Sequence, residues 1–284
     1  MADDRVAQAR AQLEAIAAEE RADPKIAHYT RWWLGDGVAP TAVVLLHGVT
    51  NSPPQYDRFA PQLHARGHAV LVPRFPYHGF RDRMTTEIGR MRAADFTSTA
   101  LRAVALAALC GRRVVVAGIS VAGTLAGWLA ARTRIDVAIA VAPYCGLRTV
   151  PGAANDAFGA LLRAAPNAFL WWDPRNKQNQ PPEHGYPRFA TRVLGECLSI
   201  STAIADAPPG PHARRAVLVL NANEPAVNNA HAERRFRALR EHGVELERVV
   251  LPGLPPIHDI VEPAIPQEQT ELVYPPLIDL IEAE

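Results

Sequence analysis

One serine stands where an apolar, β-branched run stops and a small-residue helical pattern begins: Ser120, in "VVVAGISVAGTLAGWLAA", residues 114–131. A serine hydroxyl is a weak nucleophile. It attacks a carbonyl well only when the backbone presents it sharply, a base takes its proton and donors hold the oxyanion that forms. Gly118 and Ala122, two before and two after Ser120, are small enough for the strained strand-to-helix turn that such a presentation needs. Alanine stands where a second glycine is usual. Ser98, Ser199 and Ser201 lack this setting. The competing reading is a glycine-rich turn whose serine caps the helix.

The base is expected late in the chain. His258, in "LPGLPPIHDIVEP", falls in a loop between the last strand and the last helix. Histidine titrates near neutral pH, which suits a general base. His231 and His242 lie within a predicted helix and at its end, and are poorer candidates. Glu224 follows "AVLVLN" at the end of a strand, where its carboxylate can hold the His258 Nδ1–H. Asp156, Asp173 and Asp206 are fallbacks for that role. Asp259 reads as a loop-structuring residue, because adjacent side chains rarely converge. The expected oxyanion donors are the amides of Val121, first in its helix, and Val49, in the His47–Thr50 loop. His47 either shapes that loop or touches substrate.

The elements that must position these groups alternate. "TAVVLLHG", "HAVLVP", "RRVVVAG", "IDVAIAVAP", "RRAVLVLNAN" and "VELERVVLPG" read as strands, with helical patterns between most of them. Alternation of this kind predicts an α/β fold with a mostly parallel, doubly wound sheet. Ser52-Pro53-Pro54-Gln55 has capping-box spacing, which predicts a helix to about Arg66 closed by Gly67. Asp95 is expected to cap a helix through Leu109, and the last helical piece, after Pro266, to be interrupted by Pro275-Pro276. Val6, Ala9, Leu13 and Ile16 predict an N-terminal surface helix within residues 1–27, with Asp4 as its cap and Asp23-Pro24 as its stop. Trp32-Trp33 reads as core packing or an early strand edge.

Residues 143–211 break this rhythm with prolines and aromatics and read as an irregular or helical cap-like insertion. The core is then 1–142 and 212–284. Ligands bind at the carboxyl ends of strands, so the insertion is expected above the site. Phe169, Trp171 and Trp172 are candidate substrate-binding residues, with Phe158, Leu170 and Tyr186 near them. An aromatic cluster also reads as core.

The 284 residues are 48% hydrophobic and 21% charged, with a net charge of +1, so no overall basic field draws nucleic acid. Cys110, Cys145 and Cys197 are widely spaced and suggest neither a disulfide framework nor a metal site. No apolar h-region follows the N-terminus and no run of about 18 apolar residues occurs, so a cytoplasmic protein without a membrane span is expected.

The stretches "LLHGVTNSPPQYDRFAPQL", "VPRFPYHGFRDRM", "VVVAGISVAGTLA", "VLNANEPAV" and "PPIHDIVEP" resemble the α/β-hydrolases, nearest to bacterial carboxylesterases and monoglyceride-lipase-like serine hydrolases. The resemblance implies Ser120 as nucleophile, His258 as base, Glu224 in place of the usual Asp, and Val49 and Val121 as oxyanion residues. It implies hydrolysis of a small-molecule ester through an acyl-enzyme, with no cofactor and no metal. An acyltransferase, amidase or carbon–carbon hydrolase on the same triad is the alternative, and a noncatalytic binding protein of the same fold a further one. "GISVAG" lacks the G-x-G-x-x-G spacing of a dinucleotide site.

Overall fold

The computed structural model describes residues 2–177 and 180–283. Nine strands run β1 (Arg31–Trp33), β2 (Ala39–Leu46), β3 (Ala69–Val72), β4 (Gly111–Ile119), β5 (Val137–Val141), β6 (Phe169–Trp171), β7 (Arg188–Ala190), β8 (Arg215–Asn221) and β9 (Glu245–Leu251) among the described residues. The helices are α1 (Ala2–Ala22), α2 (Ala60–Ala65), α3 (Ala93–Cys110), α4 (Val121–Ala130), α5 (Asn155–Ala164), α6 (Thr191–Thr202), α7 (Asn229–Glu241) and α8 (Thr270–Glu282).

Seven strands form one sheet in the order β1-β3-β2-β4-β5-β8-β9. All neighbours are parallel except β1, which lies antiparallel on β3 and makes Trp32-Trp33 an edge strand. Successive strand residues point to opposite faces. Ala42, Val44, Leu46, Val116, Ala138 and Leu218 therefore join α1, α3, α4, α6 and α7 on one face. Val43, Leu45, Val115, Ile139 and Val217 join α2 and α8 on the other. Both faces are covered, which is why these strands read as unbroken apolar runs.

Chain order reverses at β2: β3 lies on one side of it and β4 on the other. The loops leaving the carboxyl ends of β2 and β4 diverge there and open a crevice, the usual ligand position in such sheets.

Several local expectations change. Helix α1 begins at Ala2, so Asp4 lies inside it; Val6, Ala9, Leu13 and Ala17 are its buried stripe. Helix α3 begins at Ala93, and Asp95 caps from within: its Oδ2 accepts the Arg92 amide at 2.8 Å. The single helix expected from Ser52 to Arg66 is a 3-10 turn, Pro53–Tyr56, followed by the short α2. Ser52 makes no cap bond; its hydroxyl donates to the His184 carbonyl at 2.7 Å. Helix α8 runs through Pro275 and Pro276. The carbonyls those prolines leave without a helical donor belong to Glu271 and Leu272, both exposed, so the loss falls on the solvent side of the helix.

Helix α3 is also long and apolar enough to cross a membrane by length and composition, although it was not expected to be. Phe96, Ala100, Ala103, Val104 and Ala107 are buried in the main core. The three cysteines are buried free thiols.

Residues 143–211 contribute α5, α6 and the two-stranded β6–β7 sheet. Val193, Leu194, Cys197, Leu198 and Ile200 of α6 belong to the main core cluster. The stretch 180–186 lies instead against the loop that leaves β2: Tyr186 N donates to Thr50 O at 2.7 Å.

Candidate active site

Ser120 joins β4 to α4 with φ 59° and ψ −121°. A non-glycine residue in such a region stores about 1–3 kcal/mol and persists only where its surroundings enforce it. Here the Ser120 amide donates to Val141 O at 2.9 Å, and its carbonyl accepts from Thr124 N and Tyr144 N, each at 3.0 Å. The small neighbours are a steric requirement. A Cβ on Gly118 would lie 2.4 Å from Ala122 O, and one on Gly123 2.8 Å from Val141 O. Val121 heads α4, where the first amides have no partner within the helix.

The loop after β2 is fixed from several sides. Gly48 N donates to Gln55 Oε1 at 2.9 Å, and Asn51 N to Gly48 O at 3.0 Å. His47 Nδ1 lies 2.9 Å from Gly48 O, and its Nε2 accepts from Phe75 N at 3.3 Å, so the ring shapes the loop as a neutral tautomer. Burial holds its pKa well below the usual histidine value. His78, of "PYHG", lies with Nε2 2.7 Å from Val49 O. That contact makes it part of the support for this loop.

His258 Nδ1 lies 3.0 Å from Glu224 Oε1. Glu224 accepts, so Nδ1 carries the proton and Nε2 keeps its lone pair. The same Oε1 accepts from Ala226 N at 2.8 Å and Val227 N at 3.2 Å. Glu224 Oε2 is buried with no partner among the described residues. Burial opposes the Glu224 carboxylate, but the His258 hydrogen bond and charge outweigh it and hold its pKa below the usual value. Burial likewise opposes the His258 cation, and the hydrogen bond and charge of Glu224, with the charge of Asp259, raise its pKa above the usual 6.5.

Two asparagine amides, the buried Asn221 and the exposed Asn223, join these loops. Asn221, at the end of β8, donates from Nδ2 to Pro255 O and Ile257 O, each at 2.9 Å. Asn223 Nδ2 donates to Leu254 O at 2.8 Å. Together they staple the histidine loop to the end of β8. Their signal was the Asn-Ala-Asn that closes a buried apolar strand.

Ser120 and His258 line one cavity of about 40 Å³ with Gly48, Val49, Thr50, Asn51, Ile119, Trp172 and Asp259. Trp172 comes from the insertion; its Nε1 donates to Thr50 Oγ1 at 2.9 Å, and its ring packs on Phe189 at 4.4 Å. Phe169 and Trp171 do not line this cavity. Phe169 packs under the Arg188 guanidinium at 4.7 Å. Tyr186 is buried, and its hydroxyl accepts from Phe80 N at 2.9 Å. Asp156, a fallback acid, pairs with Arg235 on α7.

The sequence matches the alpha/beta hydrolase family over residues 43–262. No curated protein matches the chain. Among solved structures it is similar to one of the metagenome-derived lipolytic enzymes LipS and LipT, at 20% identity over 92% of this chain and 99% of that one, with a TM-score of 0.65. It is similar to a monoacylglycerol lipase of Paleococcus ferrophilus, at 15% identity over 90% and 98% of the two chains, TM-score 0.65. A monoglyceride lipase of Saccharomyces cerevisiae follows at 12% identity over 89% and 90%, TM-score 0.64. At these identities the likeness is one of fold.

Proposed function

The chain belongs to the alpha/beta hydrolase family, and on that premise we propose that it hydrolyses carboxylic esters with Ser120 as nucleophile, His258 as base and Glu224 as the acid that orients it. The observation that carries this reading is the His258–Glu224 hydrogen bond of 3.0 Å, ending in a cavity that Ser120 shares. The lipolytic enzymes and lipases among its structural neighbours support an ester as the substrate.

In the proposed reaction, Ser120 Oγ bonds to the ester carbonyl carbon while its proton passes to His258 Nε2. The carbonyl electron pair moves to oxygen, and the amides of Val49 and Val121 hold that charge. The carbon–oxygen bond to the alcohol then breaks, and His258 returns the proton to the leaving alkoxide. Water attacks the acyl-enzyme in the same way, giving the carboxylic acid and free Ser120. Glu224 keeps the imidazole in its Nδ1–H tautomer and stabilises the imidazolium.

The test is hydrolysis of p-nitrophenyl acetate and p-nitrophenyl octanoate by wild type and Ser120→Ala, with folding checked by circular dichroism. Turnover in the wild type and its loss in folded Ser120→Ala is the expected result. Equal turnover in both removes Ser120 as nucleophile.

A further inference from the structure

The oxyanion loop and the histidine loop start far apart. One leaves β2 and the other leaves β9, and β4, β5 and β8 lie between those strands in the sheet. Once the chain leaves the strands, sheet hydrogen bonds no longer set the position of one loop relative to the other. Yet the amide that holds the oxyanion and the base that moves the proton must act on one carbonyl. A misplacement of about 1 Å costs about 100-fold in rate.

Gln55 spans this gap. It is fully buried in the 3-10 turn after β2, and every polar atom of its amide group is engaged. Its Oε1 accepts from Gly48 N at 2.9 Å, and its Nε2 donates to Asp259 Oδ1 and Oδ2, each at 2.9 Å. Gly48 precedes Val49, and Asp259 follows His258. Asn51 runs beside it: Nδ2 donates to Asp259 Oδ2 at 3.2 Å and Glu262 Oε2 at 2.8 Å. We propose that Gln55 is a positioning residue, a clamp that fixes the Val49 amide relative to the His258 ring through Gly48 and Asp259. This rests on the ester-hydrolase reading of the site.

The surroundings keep the clamp in register. Asp259 is faced by His258 and Glu262 from its own loop, by Tyr56 from the turn that carries Gln55, and by Tyr274 from α8. His184 reaches Glu262 from the insertion, Nε2 to Oε2 at 2.9 Å. Burial, and then the charge of Glu262, keep the Asp259 carboxyl well above the usual range. An amide that donates to both Asp259 oxygens serves whether or not that carboxyl holds a proton on one of them, because the other oxygen still accepts. A second carboxylate at position 55 would not.

Two variants of the full chain test the clamp, Gln55→Met and Gln55→Glu. Gln55→Met keeps the length and removes all three hydrogen bonds. Its kcat on p-nitrophenyl acetate is expected to fall about 100-fold, with KM within about 3-fold, since positioning acts on the transition state. Gln55→Glu still accepts from Gly48 but meets Asp259 as a carboxylate unless one of the two holds a proton. Its activity relative to wild type is expected to fall from about pH 7 to about pH 9, where a purely structural glutamine would give parallel profiles. Fluorophosphonate labelling of Ser120 should slow in the same pattern. If Gln55→Met does not fold, the Gln55→Glu profile decides. A folded Gln55→Met with wild-type kcat, or a Gln55→Glu profile parallel to wild type, overturns the clamp. If the wild type neither hydrolyses the ester nor labels at Ser120, the ester-hydrolase reading falls and the clamp falls with it. Wild-type labelling with equally fast labelling of both variants removes the clamp alone.

Discussion

Around Ser120 the positioning groups are main-chain ones: a φ of 59°, the Val141 carbonyl and the bare Cα of Gly118 against Ala122. Around His258 they are polar side chains: Glu224 on the ring, Asn221 and Asn223 on the loop carbonyls, and Gln55 and Asn51 on Asp259. The first half is built by excluding atoms, the second by satisfying them. An excluded-volume device tolerates almost no added side chain. A hydrogen-bond network tolerates shape changes but loses its hold when a buried donor or acceptor goes unpaired.

The sharpest way to separate the halves is at the serine. Ser120→Gly should abolish ester turnover, a loss of about 10⁴-fold or more in kcat/KM. It should also raise stability by about 1 kcal/mol, because glycine accepts the positive φ without strain. Thermal unfolding beside an activity assay checks both. A folded Ser120→Gly less stable than wild type would contradict the strain account.

Glu224→Gln probes the other half. The amide can present NH₂ to His258 and favour the wrong tautomer, so kcat should fall about 10³- to 10⁴-fold with the fold intact. Its pH profile adds a sign. With His258 as the proposed base, activity needs it neutral, so the rate should fall as pH drops through that pKa, which Glu224 and Asp259 hold above the usual value. The acid limb of kcat/KM for wild type should therefore be centred above pH 6.5, and what remains in Glu224→Gln should have its limb at lower pH. A limb that does not move breaks the pairing.

Gly118→Ala and Asn221→Ala set the two devices side by side. The added methyl has backbone 2.4 Å away and should destabilise by about 1–3 kcal/mol, with activity lost through displacement of Ser120. Asn221→Ala takes the side-chain donor from the Ile257 carbonyl and leaves the Pro255 carbonyl with the Ile257 amide alone, and should destabilise by a similar amount, about 2 kcal/mol. Its activity should fall only about 10-fold, because the Glu224 bond still holds the ring. Equal activity losses would erase the distinction. The smallest expected effect is at the mouth. Trp172→Ala should raise the octanoate-to-acetate rate ratio by about 3- to 10-fold, as a wall of the 40 Å³ cavity is removed.

This contrast also explains what could be read in advance. Steric positioning leaves a mark in sequence, because a strained turn demands small residues at fixed offsets. Gly118 and Ala122 stood out, and the apolar runs of β2, β4, β5 and β8 placed the sheet. Polar positioning leaves almost none. Asn51, Gln55, Asn221 and Glu262 are polar residues of ordinary type in loops, a 3-10 turn and a strand end, and only tertiary packing turns them inward. Gln55 is the instructive case. Its spacing from Ser52 fits a capping box, but its amide faces Gly48 and Asp259. The three aromatics expected to bind substrate show the same limit: Trp172 lines the cavity with the serine while Phe169 and Trp171 lie away from it, which composition does not encode.

The most direct test of the account is to treat the wild type with a fluorophosphonate and map the adduct by peptide mass spectrometry. The account predicts a single serine adduct, on Ser120, slowed severely in His258→Ala and absent in Ser120→Ala. An adduct on another residue, or a wild type that stays unmodified while folded, would contradict it.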